Sequence, residues 1–466
     1  MRHPYSLCLP ALLLFILSCN PQADRHKRSG AKNSNEFEKG SIVYNVQCNK
    51  NPSLNYTLFL PSYYSPEKKW PVIIFFDSHA RGKLPVLKYK DIGKKYGYIL
   101  AGSNNMKNNL PEGSMNIIAN VLISDIQEKF SVNPGCINIA GFSGGARTAC
   151  AIASQRGGIN TVIACAAGPP GNQPLTNKFN LFGTAGDEDF NYQEMLNLDL
   201  NLDNTDIRHY ILSYDGKHEW PPDTVMYEAF CWMQMNEIRD GNIKNDKAIR
   251  DFINEQQNKI KKAEISNDQI KIYVIYEKII HFLDGIYDVS DYKLKLEEVS
   301  ASDKVKSYFK NKGAILKREI KLQRFFANSF HAQSFERLQN EIKILNDKIT
   351  ENKNKEESLM FKRVINYISM LSFIYSDNAT KAENHALAEQ YLKIYRTVDP
   401  DNPDINYLNA CLECRSGNPE KALEQLKEAF NKGFDDHQKL QQETAFEPIR
   451  NNREFRDIIN GLKEID

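Results

Sequence analysis

The sequence predicts an α/β domain with a mostly parallel eight-stranded sheet, followed by an all-α helical domain. Two observations support this prediction. Between residues 41 and 241, short apolar runs alternate with helical patterns, and such alternation is typical of a parallel sheet covered by helices on both faces. After Pro222 no proline occurs before Pro400, and apolar residues recur at helical spacing instead. At 466 residues the chain is also too long for one compact core.

Eight apolar runs are the strand candidates. They are rich in Val, Ile, Phe and Tyr and are bounded by Gly, Pro, Asn and Asp, which is typical of strands. Between the fourth and fifth runs, residues 114–130 carry Ile118, Leu122 and Ile126 at helical spacing, which predicts an amphipathic helix. The runs, in chain order, are SIVYNV, NYTLFL, WPVIIFF, YILAGS, CINIAGF, TVIACAAG, FNLFGTAG and RHYILSY.

The first residues have the pattern of an export signal. Arg2 precedes an apolar run from Leu7 to Leu17, which ends shortly before Cys19. The letters ILSC resemble a bacterial lipobox, in which the cysteine becomes the first residue and is lipidated. We therefore predict a signal peptide at residues 1–19, lipidation of Cys19 and a flexible polar tether at 20–40. The protein would then be attached to a bacterial membrane by its lipid anchor alone, facing the periplasm or the cell surface.

Composition and cysteine usage argue against several classes of partner and cofactor. The 60 basic and 59 acidic residues leave a formal charge of +1, which gives no reason to expect a nucleic-acid partner. The nine cysteines show no framework spacing, and most of those in the body of the chain read as small core residues. The Cys-x-x-Cys at 411–414 has no second pair, and a structural zinc site needs four ligands, so we predict no metal site.

The last hundred residues carry an internal repeat with a period of 34 positions. This period, with small residues at the packing positions, is typical of tetratricopeptide repeats, and a generic pair of helical hairpins is the alternative. We therefore divide the chain into an α/β domain at 41–241, an all-α region at 242–363 and tetratricopeptide-like (TPR-like) repeats at 364–466. Because such repeats commonly bind proteins, a protein partner is a secondary expectation. The repeat pairs Ala388 with Ala422, Leu392 with Leu426, Tyr395 with Ala429 and Pro400 with Phe434.

The most informative short motif is GFSGG, from Gly141 to Gly145. It directly follows the predicted strand CINIA, and the residues GGARTACAIAS behind it can form a helix. A serine nucleophile on a strained strand–turn–helix elbow needs this context, because neighbouring side chains would obstruct the turn. The start of the helix also directs backbone N–H groups, including that of Gly144, toward a developing oxyanion. Ser143 is therefore the predicted nucleophile.

A nucleophile of this kind needs an acid and a base later in the chain, in the order Ser, Asp, His. His218 follows the eighth strand candidate, and Asp187 and Asp189 follow the seventh. Both loops lie at the carboxyl ends of strands, where such sheets carry their sites. His218 would take and return the proton, and the acid would fix its tautomer. Because Gly186-x-x-Asp189 resembles the spacing usual at this loop, we favour Asp189 and keep Asp187 as the alternative.

The second donor of an oxyanion hole is expected in the turn after the strand WPVIIFF. A backbone N–H of Ser78 or His79, together with that of Gly144, would complete the hole. The His79 side chain could instead line the pocket, and we interpret Asp77 as a residue that shapes the turn. For Trp220 the sequence leaves the position open: it can lie at the pocket rim, in the core or at the surface.

Five segments together resemble the predicted esterases related to polyhydroxybutyrate depolymerases and feruloyl esterases, which have the α/β-hydrolase fold. The resemblance covers roughly residues 41–241, less than half of the chain. It implies hydrolysis of a carboxylic ester through a serine acyl-enzyme, without a metal or cofactor. The residues DSHARG depart from the more usual His-Gly start of the oxyanion turn. The segments are PVIIFFDSHARG, YGYILAGSNN, INIAGFSGGAR, GDEDFNY and GKHEWPP.

The sequence therefore predicts an exported, lipid-anchored serine esterase that acts on a small or polymeric ester and carries a helical C-terminal half. One alternative is a serine peptidase or acyltransferase with the same Ser, His and Asp. Another is a non-catalytic lipoprotein adaptor that binds a protein through its helical repeats. Because no insertion large enough for a lid separates the strands, we expect an open site shaped by loops.

Overall fold

The computed structural model describes residues 37–171, 175–332 and 334–465. The predicted signal peptide, the predicted lipidation site Cys19 and most of the predicted tether lie outside these residues. Phe37, near the end of that tether, packs against Phe130 with ring centroids 5.4 Å apart. Within the described ranges, no helix is long and apolar enough to cross a membrane.

The eight predicted strands form one sheet with the order β1-β2-β4-β3-β5-β6-β7-β8. Strand β2 is antiparallel to both of its neighbours, and the strands from β4 to β8 are parallel. This is an α/β-hydrolase sheet, as the sequence predicts. The strands are β1 (Ile42–Cys48), β2 (Asn51–Phe59), β3 (Trp70–Phe76), β4 (Ile99–Ser103), β5 (Val132–Phe142), β6 (Thr161–Cys165), β7 (Asn180–Gly186) and β8 (His209–Tyr214).

Helices cover both faces of this sheet. Strands β4, β6 and β7 are buried at every position, which explains why they read as continuous apolar runs in the sequence. The helix predicted at 114–130 is present, and its Ile118, Leu122 and Ile126 are buried. The helices of this half are α1 (Lys83–Tyr96), α2 (Ser114–Lys129), α3 (Gly144–Arg156), α4 (Tyr192–Leu202) and α5 (Asp223–Arg239).

The all-α half contributes to two different cores. Its first helices pack on the sheet face that α1 and α5 also cover, where Phe252 stacks on Phe282 with ring centroids 5.0 Å apart. The later helices, from α9 onward, form a core of their own. The helices are α6 (Asp246–Ile265), α7 (Gln269–Leu283), α8 (Ser290–Ser300), α9 (Asp303–Ala332), α10 (Phe335–Glu351), α11 (Lys355–Lys381), α12 (His385–Val398), α13 (Pro403–Arg415), α14 (Pro419–Asn431), α15 (His437–Gln442) and α16 (Arg453–Ile465).

The cores do not divide the chain at the predicted boundaries. Helices α6 and α7 share a core with the sheet although they follow the boundary at 241/242, and the boundary at 363/364 falls inside α11. The reason is that helical periodicity shows which face of a helix is apolar but not which neighbour covers it. The repeat positions Ala388 and Ala422 are both fully buried, on α12 and α14. Their assignment to tetratricopeptide repeats stays a prediction.

A fully buried carboxyl group lies between α5 and the sheet. Glu237 on α5 accepts hydrogen bonds from the Tyr98 hydroxyl at 2.7 Å and from Asn138 Nδ2 at 3.0 Å. Burial raises the pKa of Glu237 to about 7, and Asp240 adds to the rise, whereas hydrogen bonds from Tyr98, Asn138 and Cys136 oppose it. Folding therefore changes the proton affinity of this carboxyl near neutral pH.

Replacing Glu237 with Gln is expected to remove a pH dependence of stability. The pKa of Glu237 rises from 4.5 to about 7 on folding. Between these two pH values the folded chain keeps a proton on Glu237 that the unfolded chain has released. The free energy of unfolding of the wild type should therefore fall by roughly 2–3 kcal/mol from about pH 5 to about pH 8, relative to the variant. Denaturant unfolding at the two pH values measures this difference. The same pH dependence in both proteins would contradict it.

Candidate active site

Ser143 lies on a sharp turn between β5 and α3. Its backbone has φ 53° and ψ −119°, in a region that residues other than glycine rarely adopt. The Ser143 N–H donates to the carbonyl of Cys165 at the end of β6, at 2.9 Å. Residue 145 must be glycine, because a Cβ there would lie 2.0 Å from the Phe76 carbonyl oxygen at the end of β3. The sheet therefore holds the strained serine at its carboxyl edge.

Ser143, His218 and Asp189 are hydrogen-bonded in series. His218 Nε2 lies 3.0 Å from Ser143 Oγ, and His218 Nδ1 lies 3.0 Å from each carboxylate oxygen of Asp189. The Asp189 side chain is fully buried, whereas the His218 side chain is 22% exposed. The Asn191 N–H also donates to Asp189 at 2.7 Å and helps to fix the carboxylate. The structure thus brings together the three residues that the sequence places in three separate loops.

The imidazole ring of His218 is held between two aromatic side chains. Its ring centroid lies 4.9 Å from that of Phe142, the residue before Ser143, and 4.3 Å from that of Phe190, the residue after Asp189. Both contacts restrict rotation of the imidazole. The hydrogen bonds to Asp189 and the aromatic packing therefore orient the same ring.

The alternative acid, Asp187, does not contact His218 in the structure. Its carboxylate accepts a hydrogen bond from the Gly216 N–H at 3.3 Å, in the loop that leads to His218. Burial raises the pKa of Asp187, and the neighbouring carboxylates of Asp215 and Glu188 add to the rise. Asp187 thus lies at the base of the loop, and Asp189 is the acid that reaches the imidazole.

The two alternatives for the second oxyanion donor differ in their hydrogen bonds. The His79 N–H donates to the Asp77 carboxylate at 2.9 Å and is therefore occupied. The Ser78 N–H has no hydrogen-bond partner among the described residues, and the Gly144 N–H lies in the first turn of α3, where helical N–H groups lack partners within the helix. The geometry therefore favours Ser78 with Gly144 over His79 with Gly144.

The Asp77 carboxylate connects the oxyanion turn with the loop that carries His218. It is fully buried and accepts hydrogen bonds from Arg81 Nε at 3.0 Å and from Trp220 Nε1 at 2.9 Å, as well as from the His79 N–H. Trp220 is 5% exposed and lies in the core, not at the pocket rim. These contacts are consistent with the turn-shaping role expected for Asp77. The hydrogen bond from Trp220, which lies 143 residues away along the chain, could not be predicted from the sequence.

Asn108, in the loop after β4, is a residue at the site that the sequence did not indicate. Its backbone N–H donates to the Ser78 carbonyl at 2.9 Å. Its carboxamide lies against Gly144, because a Cβ at residue 144 would be 1.8 Å from Asn108 Oδ1. The short polar loop around Asn108 has no recognisable motif, so only the fold places it between the two expected oxyanion donors.

The C-terminal helical half also contacts the site. On α11, Arg363 Nη1 donates to the Asp187 carbonyl at 2.7 Å, Asn366 Nδ2 donates to the Glu188 carbonyl at 2.7 Å, and Lys362 Nζ pairs with the Glu188 carboxylate at 2.5 Å. The sequence led us to expect a site shaped by loops alone. The contacts from α11 show that the helical half contributes to its shape as well. These contacts come from the C-terminal half rather than from an insertion between strands.

Arg363 is itself held by a buried ion pair. Its guanidinium group contacts both carboxylate oxygens of Glu319 on α9 at 2.7–3.0 Å, and the two side chains are 3% and 0% exposed. It also lies over the ring of Tyr192, 4.4 Å from the centroid. A single side chain thus joins α9, α11 and the loop that carries Asp189.

The described residues contain no group of three or more His, Cys, Asp or Glu side chains that could hold a metal ion. The cysteines at 411 and 414 are free and buried inside the helical core. Burial raises the pKa of the Cys414 thiol to about 11, which keeps it protonated near neutral pH.

No protein-family model and no curated protein sequence matches the chain. Among solved structures, FphF, a fluorophosphonate-binding serine hydrolase of Staphylococcus aureus, is 14% identical over 42% of this chain and 98% of that chain, with a TM-score of 0.35. Est1E from Butyrivibrio proteoclasticus is 13% identical over 42% and 98%, with a TM-score of 0.34. The feruloyl esterase module from Clostridium thermocellum is 14% identical over 41% and 86%, with a TM-score of 0.35.

At these identities and TM-scores, the similarities say nothing about the activity of this chain. Its assignment to the α/β-hydrolase fold rests on the strand order, the parallel pairing and the elbow at Ser143.

Replacing Arg363 with Ala is expected to lower the free energy of unfolding by about 3–5 kcal/mol, because the buried Glu319 carboxylate loses its partner. Arg318 is the matched control, since its side chain is 46% exposed and pairs with Glu357, and Arg318→Ala should cost about 0–1 kcal/mol. Denaturant unfolding measures both. The double replacement Arg363→Met with Glu319→Leu should recover part of the loss. Equal, small effects of the two single variants would contradict the prediction.

Proposed function

We propose that the protein is a serine hydrolase that cleaves carboxylic esters through an acyl-enzyme. The observation that carries this proposal is the series of hydrogen bonds from Ser143 through His218 to the buried Asp189. A half-buried elbow serine, a neighbouring imidazole and a buried orienting acid are the parts that nucleophilic catalysis of acyl transfer requires. The choice of an ester rather than an amide rests on the sequence resemblance to predicted esterases.

The mechanism follows from the positions of these atoms. Ser143 Oγ attacks the carbonyl carbon of the ester while its proton passes to His218 Nε2. The carbonyl electron pair moves onto oxygen, where the N–H groups of Gly144 and Ser78 stabilise the oxyanion. The intermediate then collapses, the bond to the alcohol oxygen breaks, and His218 gives its proton to the departing alcohol. Asp189 stabilises the imidazolium and fixes its tautomer.

Deacylation repeats the same steps with water. His218 takes a proton from a water molecule, which attacks the carbonyl carbon of the acyl-Ser143 ester. The second oxyanion occupies the same hole, and its collapse releases the carboxylic acid while His218 returns the proton to Ser143 Oγ. Both steps are supported by the 3.0 Å distances from His218 to Ser143 Oγ and to the Asp189 carboxylate.

The direct test is labelling by a fluorophosphonate probe, followed by turnover of 4-nitrophenyl acetate. Wild-type protein should be labelled, and both Ser143→Ala and His218→Ala should abolish labelling, because the probe reacts with a serine that its base activates. Asp189→Asn should lower kcat by on the order of 10³–10⁴, whereas Asp187→Asn is the matched control and should stay within a few-fold of wild type. A folded wild-type chain that is not labelled would contradict the proposal. Cleavage of a peptide 4-nitroanilide as well as the ester would favour the peptidase alternative, because amides are the less reactive acyl donors.

We further propose that the protein is exported and lipidated at Cys19, so that the hydrolase works at a membrane surface. The support is the sequence pattern of a basic start, a short apolar run and the letters ILSC. The lipid would be the only attachment to the membrane.

Expression in a bacterial host with an alkyne-tagged fatty acid tests this second proposal. The wild-type chain should incorporate the fatty acid and appear in the membrane fraction, and Cys19→Ala should lose both properties. Cys48→Ala is the matched control, because Cys48 is buried in the folded domain and should not change labelling. Incorporation that persists in Cys19→Ala would show that the lipid is not attached there.

A further inference from the structure

One face of α11 runs alongside the whole candidate active site. At one end, Arg363 and Asn366 donate hydrogen bonds to the loop that carries Asp189. Further along the helix, Phe373 and Lys381 face the oxyanion turn across a cleft. These positions recur at intervals that lie on a single side of an α-helix. Helix α11 therefore extends from the acid side of Ser143 to its oxyanion side.

The first of two clefts along this helix, the acid-side cleft, lies beside residues that neighbour the candidate triad. It is lined on one side by Arg147, one helical turn after Ser143, and by Phe190, whose ring packs on His218 at 4.3 Å. Its other side is formed by Ile320, Gln323 and Arg324 of α9 and by Tyr367 of α11. The cleft has a volume of about 1100 Å³.

The second cleft, the oxyanion-side cleft, begins at Ser78 and Asn108. Its opposite side is formed by Phe373 of α11, Tyr407 of α13 and Lys439 of α15, and its volume is about 330 Å³. Both clefts thus have one wall from the α/β half and one wall from the helical half.

Several charged groups in these clefts pair with neighbours within the protein, whereas the exposed Arg324 of the acid-side cleft makes no ion pair with a described residue. In the acid-side cleft, Arg147 makes a bidentate pair with Glu194, with both distances 2.8 Å. In the oxyanion-side cleft, Lys439 lies 3.2 Å from Asp404 and over the ring of Tyr407, 4.3 Å from its centroid. The acid-side cleft therefore offers apolar and aromatic side chains, such as Ile320 and Tyr367, together with polar ones, such as Gln323 and Arg324. A ligand of this cleft is held mainly by filling its space.

We propose that the helical half supplies the specificity-determining wall of the hydrolase, and that the acid-side cleft binds a bulky group of the ester. Ile320, Gln323 and Arg324 of α9 and Tyr367 of α11 form that wall. An acetyl group occupies only a small fraction of about 1100 Å³, so a substrate that uses this cleft carries a much larger group. This inference rests on the proposed serine hydrolase activity and adds its substrate class.

The test fills the acid-side cleft without touching the nucleophile, its base or its acid. Ile320→Trp places a large side chain in the cleft, and Ile344→Trp is the matched control, because Ile344 lies on α10, is 48% exposed and does not line either cleft. Each protein is assayed with 4-nitrophenyl acetate and with 4-nitrophenyl 2-naphthoate, and the rate of labelling by a small fluorophosphonate is measured in parallel.

We expect Ile320→Trp to lower kcat/KM for the naphthoate by at least tenfold. The kcat/KM for the acetate and the labelling rate should change by less than about threefold, because a blocked cleft affects only the group that enters it. Ile344→Trp should leave all three unchanged. Retained acetate hydrolysis shows that the variant is folded. An unchanged ratio of the two substrates in Ile320→Trp, or a wild type that hydrolyses only the acetate, would overturn this inference alone. A wild type that is not labelled would overturn the proposed function and this inference together.

Discussion

The constraint on which the candidate site depends is the strained backbone of Ser143. A residue other than glycine at φ 53° costs on the order of 1–3 kcal/mol, and such strain persists only where surrounding structure fixes it. Here the Ser143 N–H is bound to the Cys165 carbonyl of β6, and Gly145 lies directly against the Phe76 carbonyl of β3. Three neighbouring parallel strands therefore determine where the Ser143 hydroxyl is presented.

Buried charged and polar groups then align the other parts of the site with that serine. On one side, the Asp77 carboxylate joins the oxyanion turn to Trp220, two residues beyond the histidine that contacts Ser143. On the other side, Arg363 joins the helical half to the loop that carries Asp189, and Glu319 compensates its charge. Because each of these groups is buried, loss of either partner would leave an unsatisfied polar or charged atom, which makes the arrangement geometrically specific.

The two halves of the chain are joined both in a shared core and at the candidate site. Helices α6 and α7 complete the core on one face of the sheet. Helix α11 donates hydrogen bonds to the loop that carries Asp189, so the helical half holds that loop in place.

The sequence by itself determined the eight strands, because each is a short apolar run with its own boundaries. It also indicated Ser143, Asp189 and His218, because each follows a strand at a recognisable distance. Only the tertiary structure shows that Asp189 contacts His218, that the His79 N–H is bound to Asp77, and where Asn108 and Arg363 lie. The physical reason is the distance along the chain over which each kind of signal acts. Periodicity and turn residues report the local backbone, whereas a hydrogen bond such as that from Arg363 to Asp187 joins atoms 176 residues apart, and no local pattern encodes it.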